Sequence, residues 1–181
     1  MTAYSEQRRL LIIACTATKR PDVRLLPAID RYSGPSFRAC TATKRPDVRL
    51  LPAIDRYSGP SFRVLRRWLS DHPEAAARLD VYILSAEFGL IPAIQPIPDY
   101  DRRMTAARAC ELCDQVRATL GELLALRSYA SVYLSAAKIY RQALGDLSTI
   151  AGLRSLTTAP DGTGIGAQLG ALKRWLTAES C

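Results

Sequence analysis

Histidine is nearly absent from this sequence, in which His72 is the single example among 181 residues. A Ser-His-Asp triad or a Cys-His pair needs a histidine held beside the nucleophile. His72 stands in the segment SDHPE, between two predicted helices. We therefore exclude both of these catalytic arrangements.

A second CxxC pair is absent as well. Cys110 and Cys113 lie in the middle of a predicted helix, whereas a structural zinc site needs four nitrogen or sulfur ligands. We predict no metal site and interpret both thiols as small apolar residues on a packed helix face. The odd total of five cysteines and the lack of secretory features indicate reduced thiols.

No apolar run approaches the length needed to span a membrane. The first apolar run has only six residues, LLIIAC, which predicts that there is no signal peptide. Hydrophobic residues make up 48% of the chain and charged residues 23%, an ordinary globular composition. We expect a soluble, cytoplasmic protein without a membrane partner, folded as one domain over residues 1–181.

Lysine is scarce, since 4 Lys stand beside 21 Arg, and the net charge is +8. A basic balance of this size is compatible with phosphate-bearing partners. An arginine-rich genome bias produces the same balance, so the charge is supporting evidence only.

Segments typical of strands alternate with segments typical of helices. Leu10–Cys15 suits a buried first strand and Val81–Ser85 a second, with further strands in SYASVYLSA and TIAGLRSLTT. Helices are predicted after an N-cap at Gly59, from about Arg102 to Arg127, and in KIYRQALGD and GIGAQLGALKRWL. Three prolines in IPAIQPIPDYD predict a loop without regular structure. The order predicts a three-layer α/β fold whose mainly parallel sheet has about four or more strands, with flanking helices.

The segments that follow the predicted strands are polar, small or glycine-containing: CTATKR, SAEFGL, SAAK and TTAPDGTGIG. In open α/β sheets, ligands bind beyond the carboxyl ends of the strands. The convergence of these segments therefore predicts a site at that edge.

The segment ACTATKRPDVRLLPAIDRYSGPSFR occurs twice in succession, at residues 14–38 and 39–63, without a single change. Two copies in an otherwise non-repeating chain do not make a repeat protein. The first copy follows the strand LLIIAC, whereas only the second copy continues into an amphipathic helix, VLRRWL. We predict that the chain uses the front of the first copy and the back of the second, with a redundant segment looped out between them. Complete identity favours a recent duplication or a gene-model error over two separate sites.

Three stretches, IIACTATK, LPAIDRYSGPSFRVLRRW and VYILSAEFGLIPAIQPIPDYDRRM, occur in an order that resembles the YaaA-like superfamily. This superfamily includes the peroxide-stress proteins, and the chain is most similar to its compact uncharacterised branch. The resemblance implies an association with DNA binding, protection from oxidative damage or nucleic-acid modification. It implicates the following residues, of which Lys19 and Tyr57 have doubles at Lys44 and Tyr32: Lys19, Arg56, Tyr57, Gly59, Ser85, Gly89 and Tyr100.

Four side chains are candidates for chemistry. Lys19 at a strand end neutralises a phosphate or acts as a nucleophilic amine, with an exposed loop lysine as the alternative. Glu87 is a general base or a solvated turn carboxylate. Tyr57 and Tyr100 stack on a base, donate to an oxyanion or fix their own loops. We assign catalytic roles to Lys19, Glu87 and Tyr100.

The stretch from Gly162 to Ala167 matches the loose dinucleotide fingerprint. No strand with a ribose-binding acid follows it, so we predict neither an NAD site nor any other cofactor. Its backbone amides hold a phosphate or form a plain tight turn. The residues predicted to bind substrate or phosphate are Thr16, Thr18, Arg56, Tyr57, Gly59, Ser85, Gly89, Gly162, Gly164 and Gly166.

Arginines cluster at two predicted helices and suit a nucleic-acid backbone, although a solvated helix face is the commoner explanation. The members are Arg63, Arg66 and Arg67, which we predict on one outer face, and Arg102 and Arg103. Our leading hypothesis is a protein that binds or acts on nucleic acid or its nucleotide components through phosphate contacts. The alternatives are an enzyme acting on a phosphorylated nucleoside or sugar, and a DNA-binding module without catalysis.

Deletion of residues 39–63 tests the interpretation of the duplication. Removing either copy leaves the same 156-residue chain, the difference between 181 and 25. We expect this chain to fold with equal or greater stability in a thermal melt, because the surplus segment adds only loop-closure entropy. An unfolded product would show that both copies are structural.

Overall fold

The structure is a computed structural model that describes residues 8–15, 19, 50–150, 153 and 155–178. Its strands are β1 (Arg9–Ala14), β2 (Leu51–Pro52), β3 (Leu79–Ser85), β4 (Gly89–Pro92), β5 (Pro96–Ile97), β6 (Ser131–Ser135) and β7 (Leu156–Thr158). Its α-helices are α1 (Ala53–Arg56), α2 (Pro60–Asp71), α3 (Pro73–Ala76), α4 (Ala106–Leu126), α5 (Lys138–Arg141) and α6 (Ile165–Thr177). Short 3-10 helices cover Gln142–Leu144 and Leu147–Thr149.

A five-stranded sheet with the order β4-β3-β1-β6-β7 forms the centre of the fold. Strands β3 and β6 run parallel to β1 on either side of it, and β7 is parallel to β6. Only β4 is antiparallel, because it returns from β3 through a tight turn. The predicted α/β fold with a mainly parallel sheet is confirmed.

The central position of β1 follows from its apolar composition. Leu10, Leu11, Ile12 and Ile13 are all buried, on both faces of the sheet. A strand covered on both faces needs a continuous apolar run rather than an alternating one.

Helices cover both faces of the sheet. The connection from β1 to β3 and the connection from β3 through β4 to β6 move in opposite directions along the sheet. Because crossovers of parallel strands are right-handed, the helices in these two connections lie on opposite faces. Accordingly, α2 packs against α6, whereas α4 contacts β4 and α5.

A buried arginine joins α2 to α6. The Arg9 guanidinium lies 5.5 Å from the ring centre of Trp68 and 5.0 Å from that of Trp175. It also donates to the carbonyl oxygens of Trp175 and Leu176 at 3.0 and 3.3 Å. Both carbonyls belong to the last turn of α6, where a cation is favoured by the helix dipole.

Three expectations about local structure are corrected. The proline-rich stretch contains regular structure after all, because Pro92 ends an edge strand and Pro96 belongs to a two-residue strand. Proline is tolerated at such positions since no ladder hydrogen bond is lost. Helix α4 begins at Ala106 rather than near Arg102, with Thr105 as its N-cap. The last strand is shorter than TIAGLRSLTT and covers only Leu156–Thr158.

The predicted looped-out segment falls mostly on residues 16–18 and 20–49, which lie outside the described residues. Of the first copy, the structure describes residues 14, 15 and 19, and of the second copy it describes residues 50–63. The redundancy of one copy therefore stays a prediction.

Among the described residues, no helix has the length and apolar character required to cross a membrane.

Gly89 and Gly121 form a matched pair for testing backbone requirements. Gly89 has a φ of +73°, and a Cβ there would lie 3.3 Å from Gln115 side-chain atoms, whereas a Cβ at Gly121 in α4 meets nothing within 4 Å. We expect Gly89→Ala to lower the free energy of unfolding by about 1 to 2 kcal/mol. Gly121→Ala should raise it by about 0.5 to 1 kcal/mol, because alanine favours the helix. Urea denaturation of both variants measures this, and equal effects would contradict the strained turn.

Candidate functional site

The carboxyl ends of β1, β3 and β6 lie side by side. Cys15 follows β1 directly, and its backbone N–H donates to the Leu84 carbonyl of β3 at 2.9 Å. Ser85 ends β3, and α5 begins shortly after β6. The chain leaves β1 towards one side of the sheet and β6 towards the other, so this is the topological switch point at which α/β proteins bind ligands.

Three hydroxyl groups meet at this edge, and we call Tyr57, Ser85 and Tyr100 the hydroxyl cluster. Ser85 Oγ is 2.8 Å from the Tyr100 hydroxyl and 3.3 Å from the Tyr57 hydroxyl. The two phenol groups are hydrogen-bonded to each other. Tyr57 and Ser85 are completely buried, whereas Tyr100 is half-buried. The predicted convergence of Tyr57, Ser85 and Tyr100 is therefore present in the fold.

Lys19 contacts the same cluster. It forms an isolated antiparallel bridge with Tyr57. Its Nζ donates to the Tyr100 carbonyl at 2.7 Å and lies 3.9 Å from the centre of the Tyr100 ring. The structure thus joins Lys19 of the first copy to Tyr57 of the second, the combination predicted from the flanks.

The thiol of Cys15 was not among the predicted site residues. Its sulfur lies 3.2 Å from the Tyr140 hydroxyl, and it is also hydrogen-bonded to Tyr57. Cys15 is 6% exposed, and Tyr140, at the start of the segment after β6, is half-buried. The rule that ligands bind at strand ends applied to both residues, but it had been used only for Lys19 and Ser85.

The turn after β3 is held from both sides. Ser85 Oγ accepts hydrogen bonds from the backbone N–H groups of Glu87 and Phe88 at 3.1 and 3.2 Å. Arg108 of α4 donates to the carbonyls of Ala86 and Glu87, both at 2.8 Å. These bonds fix the position of Ser85 within the cluster.

Burial makes the phenols of this region weak acids. Desolvation raises the pKa of Tyr57 and of Tyr100 well above the usual range, and the nearby Cys15 thiol raises both further. Desolvation also raises the pKa of Tyr140, and its hydrogen bond to Cys15 adds to the increase. All three phenols therefore stay protonated at neutral pH and remain able to donate hydrogen bonds.

Glu87 faces away from a role as general base. Its carboxylate is 3.3 Å from the Arg102 guanidinium, and its backbone serves the turn. Arg102 also lies 3.9 Å from Glu111. The contacts of Glu87 therefore support the interpretation as an ion-paired turn residue rather than the catalytic one.

Arg56 and Gly59 have structural positions. Arg56 is completely buried and donates to the Ile97 carbonyl at 3.3 Å, beneath the site. Gly59 is the N-cap of α2, as predicted, and Pro60 follows as its first residue. Phe62 in the first turn of α2 packs on Tyr57, with ring centres 5.2 Å apart, so this helix begins beside the cluster.

The predicted arginine face is only partly present. Arg63 and Arg67 are exposed on α2, and Arg103 is exposed before α4. Arg66 corrects the prediction, because it turns inward and donates to the carbonyls of Ile54 and Tyr57 at 2.6 and 2.8 Å. Those carbonyls belong to the residues just before α2 and draw the guanidinium away from solvent.

The glycine-rich segment lies at the same edge of the sheet, after β7. Gly162 has a φ of +66°, and Gly164 is the N-cap of α6. Gly166 is exposed in the first turn of α6, and Arg141 of α5 pairs with Asp161 in the turn. The predicted N-terminus of the last helix is confirmed, whereas phosphate binding there stays a prediction.

Some predicted residues cannot be placed: Thr16, Thr18, Arg31, Tyr32 and Lys44 lie outside the described residues.

The fold and this edge define an α/β protein with a polar site at the switch point of a mainly parallel sheet. Residues 39–174 match a family of unknown function, DUF6884, and the chain belongs to that family. The match begins at the first residue of the second copy of the duplicated segment. No curated protein and no solved structure matches the chain.

The raised pKa values of Tyr57 and Tyr100 predict a loss of stability at alkaline pH. Above pH 10 the unfolded chain releases these protons while the folded chain keeps them, so the free energy of unfolding falls as pH rises. Each such group contributes a slope of about 1.4 kcal/mol per pH unit. We expect the Tyr57→Phe/Tyr100→Phe double variant to show a shallower decline by about 2 kcal/mol per pH unit, measured by urea denaturation between about pH 10.5 and 11.5.

Ser85→Ala is the matched control, because it disturbs the same cluster without removing a phenol. It should keep the steep decline of the parent protein. A double variant that declines as steeply as the parent would show that the two tyrosines are not responsible.

Proposed function

We propose that this protein binds a nucleotide, free or as part of a nucleic acid, by its phosphate group at the hydroxyl cluster. The observation that carries the proposal is the position of Lys19, whose ammonium group lies against Tyr100 where three hydroxyl groups meet. An ammonium group has three N–H donors, and the Tyr100 carbonyl accepts one of them.

The charge of the site favours an anionic ligand. The cluster offers hydroxyl donors and one cation, and the nearest acidic side chain with a defined partner, Glu87, is paired with Arg102. Hydrogen bonds between charged groups are stronger than those between neutral ones, and phosphate oxygens accept several at once. The first turn of α2, which has a glycine N-cap and no capping side chain, adds backbone N–H groups beside Tyr57.

The surroundings of Tyr100 argue against base stacking on its ring. Lys19 lies over the ring, while Tyr57 and Phe88 approach it edge-on, with ring centres 6.4 and 5.2 Å away. A stacking platform needs an open aromatic face. Tyr100 therefore serves the ligand through its hydroxyl group rather than through its ring.

The arginines favour a small ligand over a long nucleic-acid strand. Arg67 is 3.5 Å from Asp71, Arg102 pairs with Glu87, and Arg66 serves backbone carbonyls. These positive charges already have partners, which weakens the continuous basic surface that a DNA-binding module needs. The resemblance to the YaaA-like superfamily supports the link to nucleic-acid chemistry, and membership of that superfamily is itself part of the proposal.

Comparison of nucleosides with their monophosphates tests the proposal. The four ribonucleosides and their 5′-monophosphates are titrated into the protein by calorimetry. We expect at least one monophosphate to bind about tenfold or more tightly than its nucleoside, since a charge-assisted hydrogen bond contributes about 1.5 to 3 kcal/mol. Lys19→Met should abolish this difference.

Lys173→Met, an exposed residue of α6, is the matched control and should leave the difference unchanged. Equal affinity of nucleoside and monophosphate for the parent protein would overturn the proposal. Tight binding of an oligonucleotide, with a steep salt dependence that Lys19→Met does not alter, would favour the DNA-binding module instead.

A further inference from the structure

Phosphate binding leaves the Cys15 thiol without a role. Cys15 lies at the switch point itself, between the ends of β3 and β6, and its sulfur is next to two phenol groups. Of the other cysteines that the structure describes, Cys110 is exposed on α4 and Cys113 is half-buried on the same helix. A thiol that only fills space in a core needs no hydroxyl partners.

The hydrogen bonds of the cluster have a direction that ends at this thiol. A hydroxyl oxygen has two lone pairs, and the amides of Glu87 and Phe88 occupy both on Ser85. The Ser85 proton is therefore directed to Tyr100. The Tyr100 proton is then directed to Tyr57, which leaves the Tyr57 proton for Cys15.

The sulfur thus receives hydrogen bonds from two sides, from Tyr57 and from Tyr140. Hydrogen bonds donated to an anion stabilise it, and the thiolate is the nucleophilic form of cysteine. A thiol is ordinarily a stronger acid than a phenol. Since burial raises the pKa of both phenols, these groups remain donors when the thiol loses its proton.

We propose that Cys15 is the catalytic nucleophile of this site and that it attacks an electrophilic carbon of a phosphorylated substrate. The phosphorylated nature of the substrate rests on the function proposed above. The ammonium group of Lys19, against Tyr100, holds the anionic end of the substrate on the far side of the Tyr57–Tyr100 pair from the sulfur.

The step conserves atoms and charge. The Cys15 sulfur forms a bond to carbon, the bond from that carbon to its leaving group breaks, and the leaving group departs with the electron pair. The thiol proton goes to the leaving group. Water then attacks the same carbon, which releases the product as an alcohol or acid and restores the thiol.

Alkylation by iodoacetamide measures the nucleophilicity of the thiol without knowledge of the substrate. The full chain is treated at neutral pH for increasing times, quenched and digested with trypsin. Cys15 is read from the peptide LLIIACTATK, which differs in mass from the Cys40 peptide ACTATK. Exposed Cys110 serves as the internal reference.

We expect Cys15 to react at least about tenfold faster than Cys110, although it is 6% exposed, because an activated thiol exceeds an ordinary one in thiolate content. Tyr140→Phe should slow the reaction of Cys15 several-fold without lowering the melting temperature by more than a few degrees. Tyr82→Phe, a half-buried tyrosine within β3, is the matched control and should leave the rate unchanged. Reaction of Cys15 at or below the rate of Cys110 would overturn the proposal.

A charged reagent separates this proposal from the phosphate site. Iodoacetate carries a negative charge and iodoacetamide does not, so Lys19 should raise the ratio of their rates at Cys15 above the ratio at Cys110. Fast alkylation with equal ratios at both residues, unchanged in Lys19→Met, would retain the nucleophile and contradict the phosphate site. Slow alkylation of Cys15 in a protein that binds a nucleoside monophosphate would contradict the nucleophile alone.

Discussion

Strand β1 is hydrogen-bonded to β3 on one side and to β6 on the other, and the site depends on this arrangement. A strand in that position is covered on both faces, which its run of leucine and isoleucine satisfies. Its carboxyl end must then lie between the ends of both neighbours. Cys15, Ser85 and the segment that holds Tyr140 are brought together by the sheet register, before any contact between their side chains is considered.

Buried hydroxyl groups are tolerated in this place because they satisfy one another. Each member of the hydroxyl cluster has a hydrogen-bond partner, and an unpaired buried hydroxyl would cost about 1 to 3 kcal/mol. Arg108 and Ser85 fix the turn after β3 from opposite sides, so the cluster is held by helix α4 as well as by the sheet. Such support keeps the donors in position before a ligand arrives, which lowers the entropic cost of binding.

Periodicity and strand-end chemistry predict the sheet, the N-cap of α2 and the convergence of Lys19, Tyr57 and Tyr100, because these follow from local pattern and from one topological rule. The inward turn of Arg66 and the pairing of Glu87 with Arg102 depend on carbonyls and charges that come from distant segments, which spacing along the chain does not reveal. The roles suggested for Cys15 and Tyr140 had a readable signal, their place after β1 and β6. That signal is weak because small residues and single tyrosines after strands are common.

The central claim is that the phosphate of a nucleotide lies at Lys19 within the hydroxyl cluster. Phosphorus NMR of a nucleoside monophosphate titrated with the protein tests it most directly, since the 31P resonance reports on the phosphate alone. We predict that this resonance shifts on binding and that its shift is lost in Lys19→Met while the fold is retained. Shifts confined to the base and sugar protons, with the 31P resonance unmoved, would contradict the account.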